Sequence, residues 1–430
     1  MTSLHTIRLF ACLVDLCLPL VVWRWLRPSR RETGAALLAS GWALFAAALA
    51  GLASTHIDAG ALASPVVLGT SLDVLLSRVL LGGFCVALCF NAVPLLRLCG
   101  FAIAFDLWFC TLAGGVIDLR SLAVQALIVA LYFIPAQLFA RWTRESRNLP
   151  VRASLHIVFH AGLLLGVLPA LIVACTGGNW NVPLARSSFL NKLYLQLLMV
   201  PAVVLISSVQ EFARRGRGTP APADPPHRLV TTGTYAYVAN PMQVGKFMMV
   251  AGWGLFWWHP WMLAAALLGL LYSIIVASPR EDKEMVERFP GAWLCYRQQV
   301  RRWWPRWNPY VGSWGAYPSP GVCGARLYLR LECEPCSQLA RWLRQRTSGL
   351  RVLPIEEQDG RIAYDPVDGS KREHGVVALA RAIEHVNLAW ALFAWMLRLP
   401  GIAWLAQLVA DSLDPQNESN CALPEISTAA

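Results

Sequence analysis

The sequence predicts a polytopic α-helical membrane protein of about nine spans, followed by a C-terminal cytoplasmic α/β domain. The first observation is composition: the chain is 56% hydrophobic and only 15% charged, with a mean hydropathy of +0.47. Soluble domains are nearer half apolar and a quarter charged. The second observation is a series of apolar runs of spanning length, and the third is a change to a charged, mixed composition after residue 278.

A membrane-spanning helix requires about 20 apolar residues, which sets the length of run that counts as a span. The third and fourth runs admit a different division, and residues 54 to 77 are too interrupted by Gly, Pro and Asp to count. The predicted spans are Thr6 to Trp25, Ala35 to Ala53, Arg78 to Leu96, Cys99 to Ile117, Ser121 to Ala140, Ser154 to Cys175, Phe189 to Val209, Pro241 to Trp258 and Pro260 to Ser278.

The arginines predict the orientation, because cytoplasmic loops carry an excess of Lys and Arg. The loops on the opposite side contain Arg120 and Arg186 only as isolated cases. An N-terminus outside and everything after Ser278 in the cytoplasm is therefore expected, in a bacterial inner (plasma) membrane. The net charge of +11 is then a matter of topology, and no nucleic-acid partner is predicted. The clusters follow spans one, five and seven: Arg24, Arg27, Arg30 and Arg31; Arg141, Arg144, Arg147 and Arg152; Arg214, Arg215 and Arg217.

After the ninth span the sequence changes character three times. A segment that alternates charge with aromatics at helical spacing is typical of the membrane interface. A Gly-, Pro- and Ser-rich stretch then reads as a linker. Beyond it, "ARLYLRLE" and "LRVLPI" predict strands, while "CSQLARWLRQRT" and "GVVALARAIEHV" predict helices. The predicted division is N-terminal spans at 1–150, a core at 151–312, the linker at 313–324, the C-terminal domain at 325–411 and a flexible tail at 412–430.

The apolar run from Asn387 to Ala410 is long enough to span but contains Arg398 and Pro400 near its middle. A charge and a helix breaker are both costly in lipid. Two helices, packed on the soluble domain or lying on the bilayer, are therefore predicted in place of one span.

A polar, turn-rich stretch, "VTTGTYAYVANPMQVG" at residues 230–245, leads directly into the eighth span. Asn240 is a good N-cap and Pro241 suits the first helical turn. Gly252 and Gly254 in the same span permit close approach of a ligand or a second helix. Paired carboxylates follow the ninth span, and such groups accept hydrogen bonds from a diol or an ammonium group.

These segments resemble the isoprenylcysteine carboxyl methyltransferase and phospholipid methyltransferase group, whose pattern is G-x-Y-x-Y-V-R-H/N-P-x-Y-x-G, then G-x-G, E-E, F-G-x-x-Y-x-x-Y and a basic tail. The family Arg falls on Ala239, the later Tyr on Gln243, the second Glu on Asp282, and the Phe-Gly on Phe289-Pro290. The chain matches at Gly233, Tyr235, Tyr237, Asn240, Pro241, Gly245, Gly252, Gly254, Glu281, Phe289, Tyr296 and Pro305.

The resemblance implies a membrane methyltransferase that uses S-adenosylmethionine and a lipidic or prenyl-type acceptor entering from the bilayer. The methylated atom could be a carboxylate oxygen, an amine nitrogen or a thiol sulfur. A water-soluble cofactor and a lipid-soluble acceptor would meet at the interface, between the glycines of span eight and the carboxylates after span nine. The implied cofactor-binding residues are Tyr235, Tyr237, Asn240, Pro241, Gly245, Gly252, Gly254, Glu281 and Asp282.

A second motif, Cys333-Glu-Pro-Cys336, lies after a predicted strand and opens a predicted helix. That placement favours thiolate, and a cytosolic C-x-x-C in a strand–helix pattern predicts a thioredoxin-like domain with both cysteines catalytic. Residues 326–411 resemble the DCC family of thiol-disulfide oxidoreductases, which implies a thiol partner; Arg330-Leu331 replace the family Asp-Gly. Too few further ligands accompany the cysteines to predict a metal site.

Two alternatives stay open. One is a membrane-anchored thiol-disulfide oxidoreductase whose methyltransferase-like spans are only an anchor. The other is a scaffold in which both sites are degraded, with Ala239 and Arg330 in its favour.

Overall fold

The computed structural model describes residues 2–54, 66–67, 70–71, 76–112, 119–176, 186–312, 324–331, 334–347, 349–355, 361–366 and 370–412. The chain divides into two compact units, and each is described by itself. The first unit comprises Met1–Arg186, Arg217–His227 and Trp253–Ala264; the second comprises Ser187–Gly216, Arg228–Gly252 and Ala265–Ala430.

The first unit is built from long helices and one minimal antiparallel strand pair. Its core forms where small residues of α2, such as Ala36 and Ala39, let Phe139 and Ala136 of α5 approach closely. The elements are α1 (Thr2–Leu26), α2 (Arg30–Ser54), β1 (Val66–Val67), β2 (Thr70–Ser71), α3 (Ser77–Cys89), α4 (Leu95–Leu112), α5 (119–145) and α6 (149–176).

The second unit combines apolar helices with a small mixed sheet; α8 and α9 each also contribute residues to the first unit. Its elements are α7 (Ser188–Gly216), a 3-10 turn (Gly233–Ala236), α8 (Pro241–Phe256), α9 (Pro260–Arg288), α10 (Pro290–Gln299), β3 (Ala325–Leu329), α11 (Glu334–Arg346), β4 (Leu350–Pro354), β5 (Ile362–Asp365), β6 (Glu373–His374), α12 (Gly375–Ile383), α13 (Leu388–Leu397) and α14 (Pro400–Ser412).

Four helices within the described ranges are long and apolar enough to cross a membrane: Ala126–Glu145, Leu149–Val173, Ser188–Gly216 and Pro260–Arg288. A bent pair, α13 with α14, makes a fifth if it is counted as one span. Several apolar helices are thus present, while the predicted total of nine stays a prediction. The break between α3 and α4 falls at residues 90–94, so the third predicted span divides earlier than its predicted end at Leu96.

The helix that contains the ninth predicted span continues past Ser278, because α9 ends at Arg288. Pro279 has no N–H to donate to the hydrogen bonds of the helix, and a π-helical turn at Ser273–Ala277 precedes it. The helix continues past both. The carboxylates Glu281 and Asp282 therefore lie on the same helix as the apolar span, and not in a loop after it.

The C-terminal part forms a four-stranded mixed sheet in the order β4-β3-β5-β6. β3 and β4 are parallel and are joined by α11, as a parallel pair requires a crossover connection. β5 and β6 add antiparallel strands on the other side of β3. The core lies between the sheet and its helices, with Leu327, Leu329 and Leu343 almost fully buried.

The run from Asn387 to Ala410 breaks into two helices, as predicted. α13 ends at Leu397, α14 begins at Pro400, and the two axes differ by 85°.

Candidate functional site

The stretch at residues 230–245 is an ordered loop that turns into α8. Gly233 has a φ of 60°, a left-handed conformation that favours glycine. A Cβ at Gly233 would also lie 2.8 Å from Cδ of Glu211 in α7. Thr232 donates its hydroxyl proton to Oε1 of Glu211 at 2.6 Å. The loop is therefore seated on the charged end of α7.

The segment after α10 runs alongside this loop and binds its backbone. The N–H groups of Ala239 and Asn240 donate to the carbonyls of Arg301 and Arg302 at 3.0 and 3.2 Å. Tyr310 N–H donates to the carbonyl of Ala236 at 2.8 Å. Such pairing satisfies buried backbone groups outside regular structure and fixes the loop against the basic tail.

Asn240 joins the loop to the carboxylate end of α9. Its carbonyl accepts the N–H of Val244 at 3.1 Å, which begins α8. Its buried Nδ2 lies 3.5 Å from both Ser278 Oγ and Glu281 Oε2. Asn240, Ser278 and Glu281 therefore meet at one place, and the prediction that Asn240 and Glu281 share a site is compatible with this geometry.

Asp282 lies beside Glu281 and forms an ion pair with Arg302 through Oδ2. Its other oxygen, Oδ1, is buried and has no hydrogen-bond partner among the described residues. A buried carboxylate oxygen without a donor is unfavourable, so this atom is suited to accept from a bound group. Arg302 also places a cation near the carboxylates, although Ala239 occupies the position of the family arginine.

Tyr235 and Tyr237 are both buried, and they act through the packing of the loop. Burial, followed by the charge of Glu281, raises the pKa of Tyr235 well above its usual value. Burial and then Glu384 raise the pKa of Tyr237 in the same direction. Tyr237 donates its hydroxyl proton to the carbonyl of Glu384 at 2.6 Å. Tyr235 accepts from Tyr296 Oη through its carbonyl at 2.7 Å, so both residues hold the loop in place.

The glycines of α8 all lie close to other helices. A Cβ at Gly252 would lie 2.6 Å from Cδ2 of Leu198, and one at Gly245 would lie 3.2 Å from Cβ of Leu205, both in α7. A Cβ at Gly254 would lie 3.0 Å from Cβ of Met262 in α9. Close helix packing accounts for these glycines, and a contact with a cofactor stays a prediction for each of them.

A buried ion cluster connects α7 to the C-terminal helices, and sequence analysis missed it. Glu211 accepts from Arg381 at 2.9 Å and from Arg398 at 2.9 Å. Arg381 and Arg398 also bind Glu384, at 2.9 and 2.8 Å. Burial alone would raise the pKa of Glu373, but Arg381, Arg398 and Arg215 outweigh it and lower that pKa. The ion cluster comprises Glu211, Arg215, Glu373, Arg381, Glu384 and Arg398.

Other residues of the site also escaped prediction. Ser278 is a small polar residue in an apolar run, and a lone serine carries no signal there. Arg302 belongs to the basic tail of the family pattern, so the sequence marks it as a candidate site residue. The sequence does not show that its partner is Asp282. Gln243 accepts from Ser273 Oγ at 3.2 Å, so it connects α8 to α9.

The C-x-x-C motif is described in part. Cys336 lies in the first turn of α11, which follows β3 as predicted, and it is half-buried. Cys333 lies outside the described residues. The strand–helix placement holds for Cys336, whereas the catalytic role of both cysteines stays a prediction.

Residues 193–291 match the phospholipid methyltransferase family. The match begins within α7, contains the loop, α8 and α9, and ends just inside α10. No curated protein and no solved structure matches the chain significantly. The family match and the apolar helices together indicate a membrane protein with a methyltransferase region that acts on a lipid-type substrate.

Proposed function

We propose that the chain is an integral membrane methyltransferase that uses S-adenosylmethionine and methylates a lipidic or prenyl-type acceptor. The observation that carries the proposal is the junction of Asn240, Glu281 and Asp282 inside the segment that matches the phospholipid methyltransferase family. Asn240 and Glu281 are about 40 residues apart in the family pattern, and here Asn240 Nδ2 lies within hydrogen-bond distance of Glu281 Oε2.

The residues at this junction fit the proposed cofactor by charge and by hydrogen bonding. The cofactor has a sulfonium cation, an ammonium group and ribose hydroxyls. Glu281 offers carboxylate oxygens whose described contact is the 3.5 Å approach of Asn240, and Asp282 offers the unpartnered Oδ1. Carboxylates accept hydrogen bonds from diols and ammonium groups, so the donor and acceptor sets are complementary.

The cofactor supplies an activated methyl group when bound, and the chain supplies alignment. Asn240 orients Glu281, and Arg302 holds Asp282. The hydrogen bonds between the loop and the basic tail fix these two pairs relative to each other. A direct displacement needs little covalent assistance, so fixed orientation is the main contribution of the protein. The acceptor atom, whether oxygen, nitrogen or sulfur, would approach from the bilayer.

Glu281→Gln is expected to weaken S-adenosylmethionine binding at least tenfold, about 1.4 kcal/mol, because it removes the negative charge beside Asn240. Isothermal titration of the purified chain in detergent measures the affinity. Glu287→Gln is the matched control, since Glu287 is exposed on the same helix and is expected to leave the affinity unchanged. An unchanged affinity in Glu281→Gln, or equal losses in both variants, would contradict the proposed cofactor site.

The orientation in the membrane is also a proposal. Arginine clusters on one set of loops support an N-terminus outside, a cytoplasmic C-terminal domain and a bacterial plasma membrane. Nine spans remain the proposed total, supported by the apolar runs that α1, α2 and α8 add to the longer helices.

The second candidate function is thiol-disulfide exchange by the C-terminal domain. A parallel β3-α11-β4 unit, extended by two antiparallel strands and α12, supports the proposal of a thioredoxin-like domain of the DCC type. Cys333 would attack and Cys336 would resolve, with a thiol-bearing partner as substrate. The position of Cys336 at the N-terminus of α11 favours this chemistry.

Cys333 is expected to react with iodoacetamide at least tenfold faster than Cys295 at neutral pH, because a helix N-terminus stabilises thiolate. Mass spectrometry of the reduced full chain, quenched at intervals, measures both rates. Cys295 is the matched control because it is exposed on α10. Equal rates would contradict the redox role.

A further inference from the structure

We infer that α13 and α14 form a bent helix pair inserted into one leaflet of the membrane, with the apolar side of α14 against lipid acyl chains. The inference concerns residues 388–412 and does not depend on methyl transfer. Its evidence is the polarity of α14, the depth at which α13 meets α7 and the neutralisation of Arg398.

The polarity of α14 is inverted relative to a helix on the surface of a soluble protein. Gln407 points to the protein, where its Oε1 accepts the N–H of Val376 at 2.8 Å and its Nε2 donates to Asp411 at 2.7 Å. No residue of α14 is buried. The large apolar side chains point outward, whereas a surface helix in water turns that face inward. They are Trp404, Leu405, Leu408 and Val409, between 48% and 63% exposed.

α13 meets α7 at the depth of the apolar span. Val203 packs in one cluster with Ala391 and Trp395, and Ser207 donates to the carbonyl of Trp395 at 3.4 Å. The apolar run of α7 ends at Val209, just before Glu211. Val203 therefore lies about 9 Å of helix rise inside that boundary. Ala236 and Tyr237 of the polar loop belong to the same cluster, so α13 meets α7 at the edge of its apolar run, next to the membrane interface.

The sequence of α13 agrees with this depth. "LAWALFAWML" contains no charged residue, and its outward side carries Phe393 and Met396, each more than a third exposed, while the ring of Trp390 packs edge-to-face on Trp342 of α11 at 5.2 Å. At about 15 Å, α13 is too short to cross a hydrocarbon core of about 30 Å, and the 85° bend prevents α14 from extending it. The pair can therefore enter and lie in one leaflet without crossing.

Arg398 lies at the bend, and its charge is compensated there. It is 4% exposed and donates to Glu384 and Glu211 at 2.8 and 2.9 Å. An unpaired arginine would be costly at this depth, but a paired one near the boundary is tolerated. In the sequence alone, the charge of Arg398 argues against membrane insertion. In the folded chain that charge is paired, so it no longer opposes insertion.

Lipid fits the apolar surface better than a protein partner. α7 itself exposes Leu193, Leu197 and Val200 in the same unit, and a spanning helix shows such side chains to lipid. The outward face of α14 is of the same composition and belongs to the same compact unit. Trp404 also suits the membrane interface, where amphipathic rings are enriched.

The test uses the full chain in phosphatidylcholine nanodiscs, with a benzophenone amino acid at position 404 or 408. Position 341 is the control, because Arg341 is exposed on α11 of the sheet domain. After irradiation, mass spectrometry measures the fraction of each peptide that carries a phospholipid adduct. Adducts at 404 and 408 are expected to exceed those at 341 by at least tenfold.

A second measurement needs no substitution in the chain. The unaltered protein is placed in the same lipid doped with a phospholipid whose acyl chain carries a diazirine, and labelled peptides from 388–412 are expected. Adduct fractions at 404 and 408 equal to that at 341 would overturn the inference. Cross-links to a second copy of the chain in place of lipid, or no labelling of 388–412, would overturn it equally.

Discussion

Glu211→Gln is expected to lower the free energy of unfolding by about 3–5 kcal/mol, because it leaves three buried guanidinium groups with only two carboxylates. Glu211 is 1% exposed and accepts from both Arg381 and Arg398. In the intact ion cluster, three carboxylates face three guanidinium groups. Removing one negative charge leaves a net positive charge in a region with little water. Unfolding by a denaturing detergent in mixed micelles measures the change.

A surface pair of the same chemistry is the control. Glu145 lies 3.3 Å from Arg147, and both side chains are largely exposed. Glu145→Gln is expected to change stability by no more than about 1 kcal/mol. The double variant Glu211→Gln, Arg398→Gln should be less destabilised than the sum of the single variants, because it removes both charges of one pair. Additive losses would show that the ion cluster is not coupled as the structure indicates.

The sequence predicts helices and local motifs well because their signals are local. The start of α8 after Asn240, the helix after β3 and the break before Pro400 each follow from residues adjacent in the chain. The ion cluster has no such signal. Glu211 and Arg398 are 187 positions apart, and each alone reads as an ordinary charge near a helix end.

The glycines show a different limit of sequence analysis. A glycine in a span is needed wherever a backbone or a ligand approaches closely, and the sequence cannot tell these cases apart. The structure places helix side chains against Gly252 and Gly254. For the carboxylates the structure adds contacts that the sequence pattern does not show, because Glu281 adjoins Asn240 and Asp282 pairs with Arg302, while their role toward a cofactor stays a prediction.

Trp395→Ala is expected to lower the free energy of unfolding by about 3–5 kcal/mol, through lost burial and the cavity that remains. Trp395 is 2% exposed, and its ring meets that of Tyr237 edge-to-face at 5.5 Å. Tyr237 belongs to the loop that leads to Asn240. The same substitution is therefore expected to weaken S-adenosylmethionine binding as well, because the loop loses one of the contacts that fix it. Detergent unfolding and isothermal titration measure the two effects.

Two matched variants separate this packing from a general effect of removing tryptophan. Trp404→Ala changes the same side chain in the same bent helix pair, but Trp404 is 63% exposed, so a change within about 0.5 kcal/mol is expected in micelles. Trp395→Phe retains a ring against Tyr237 and should recover most of the cofactor affinity. Equal losses at 395 and 404 would contradict the packing of α13 on the loop. A loss at 395 alone, recovered by Phe, would make the bent pair of α13 and α14 a structural part of the methyltransferase region, since the loop and Trp395 then stabilise each other.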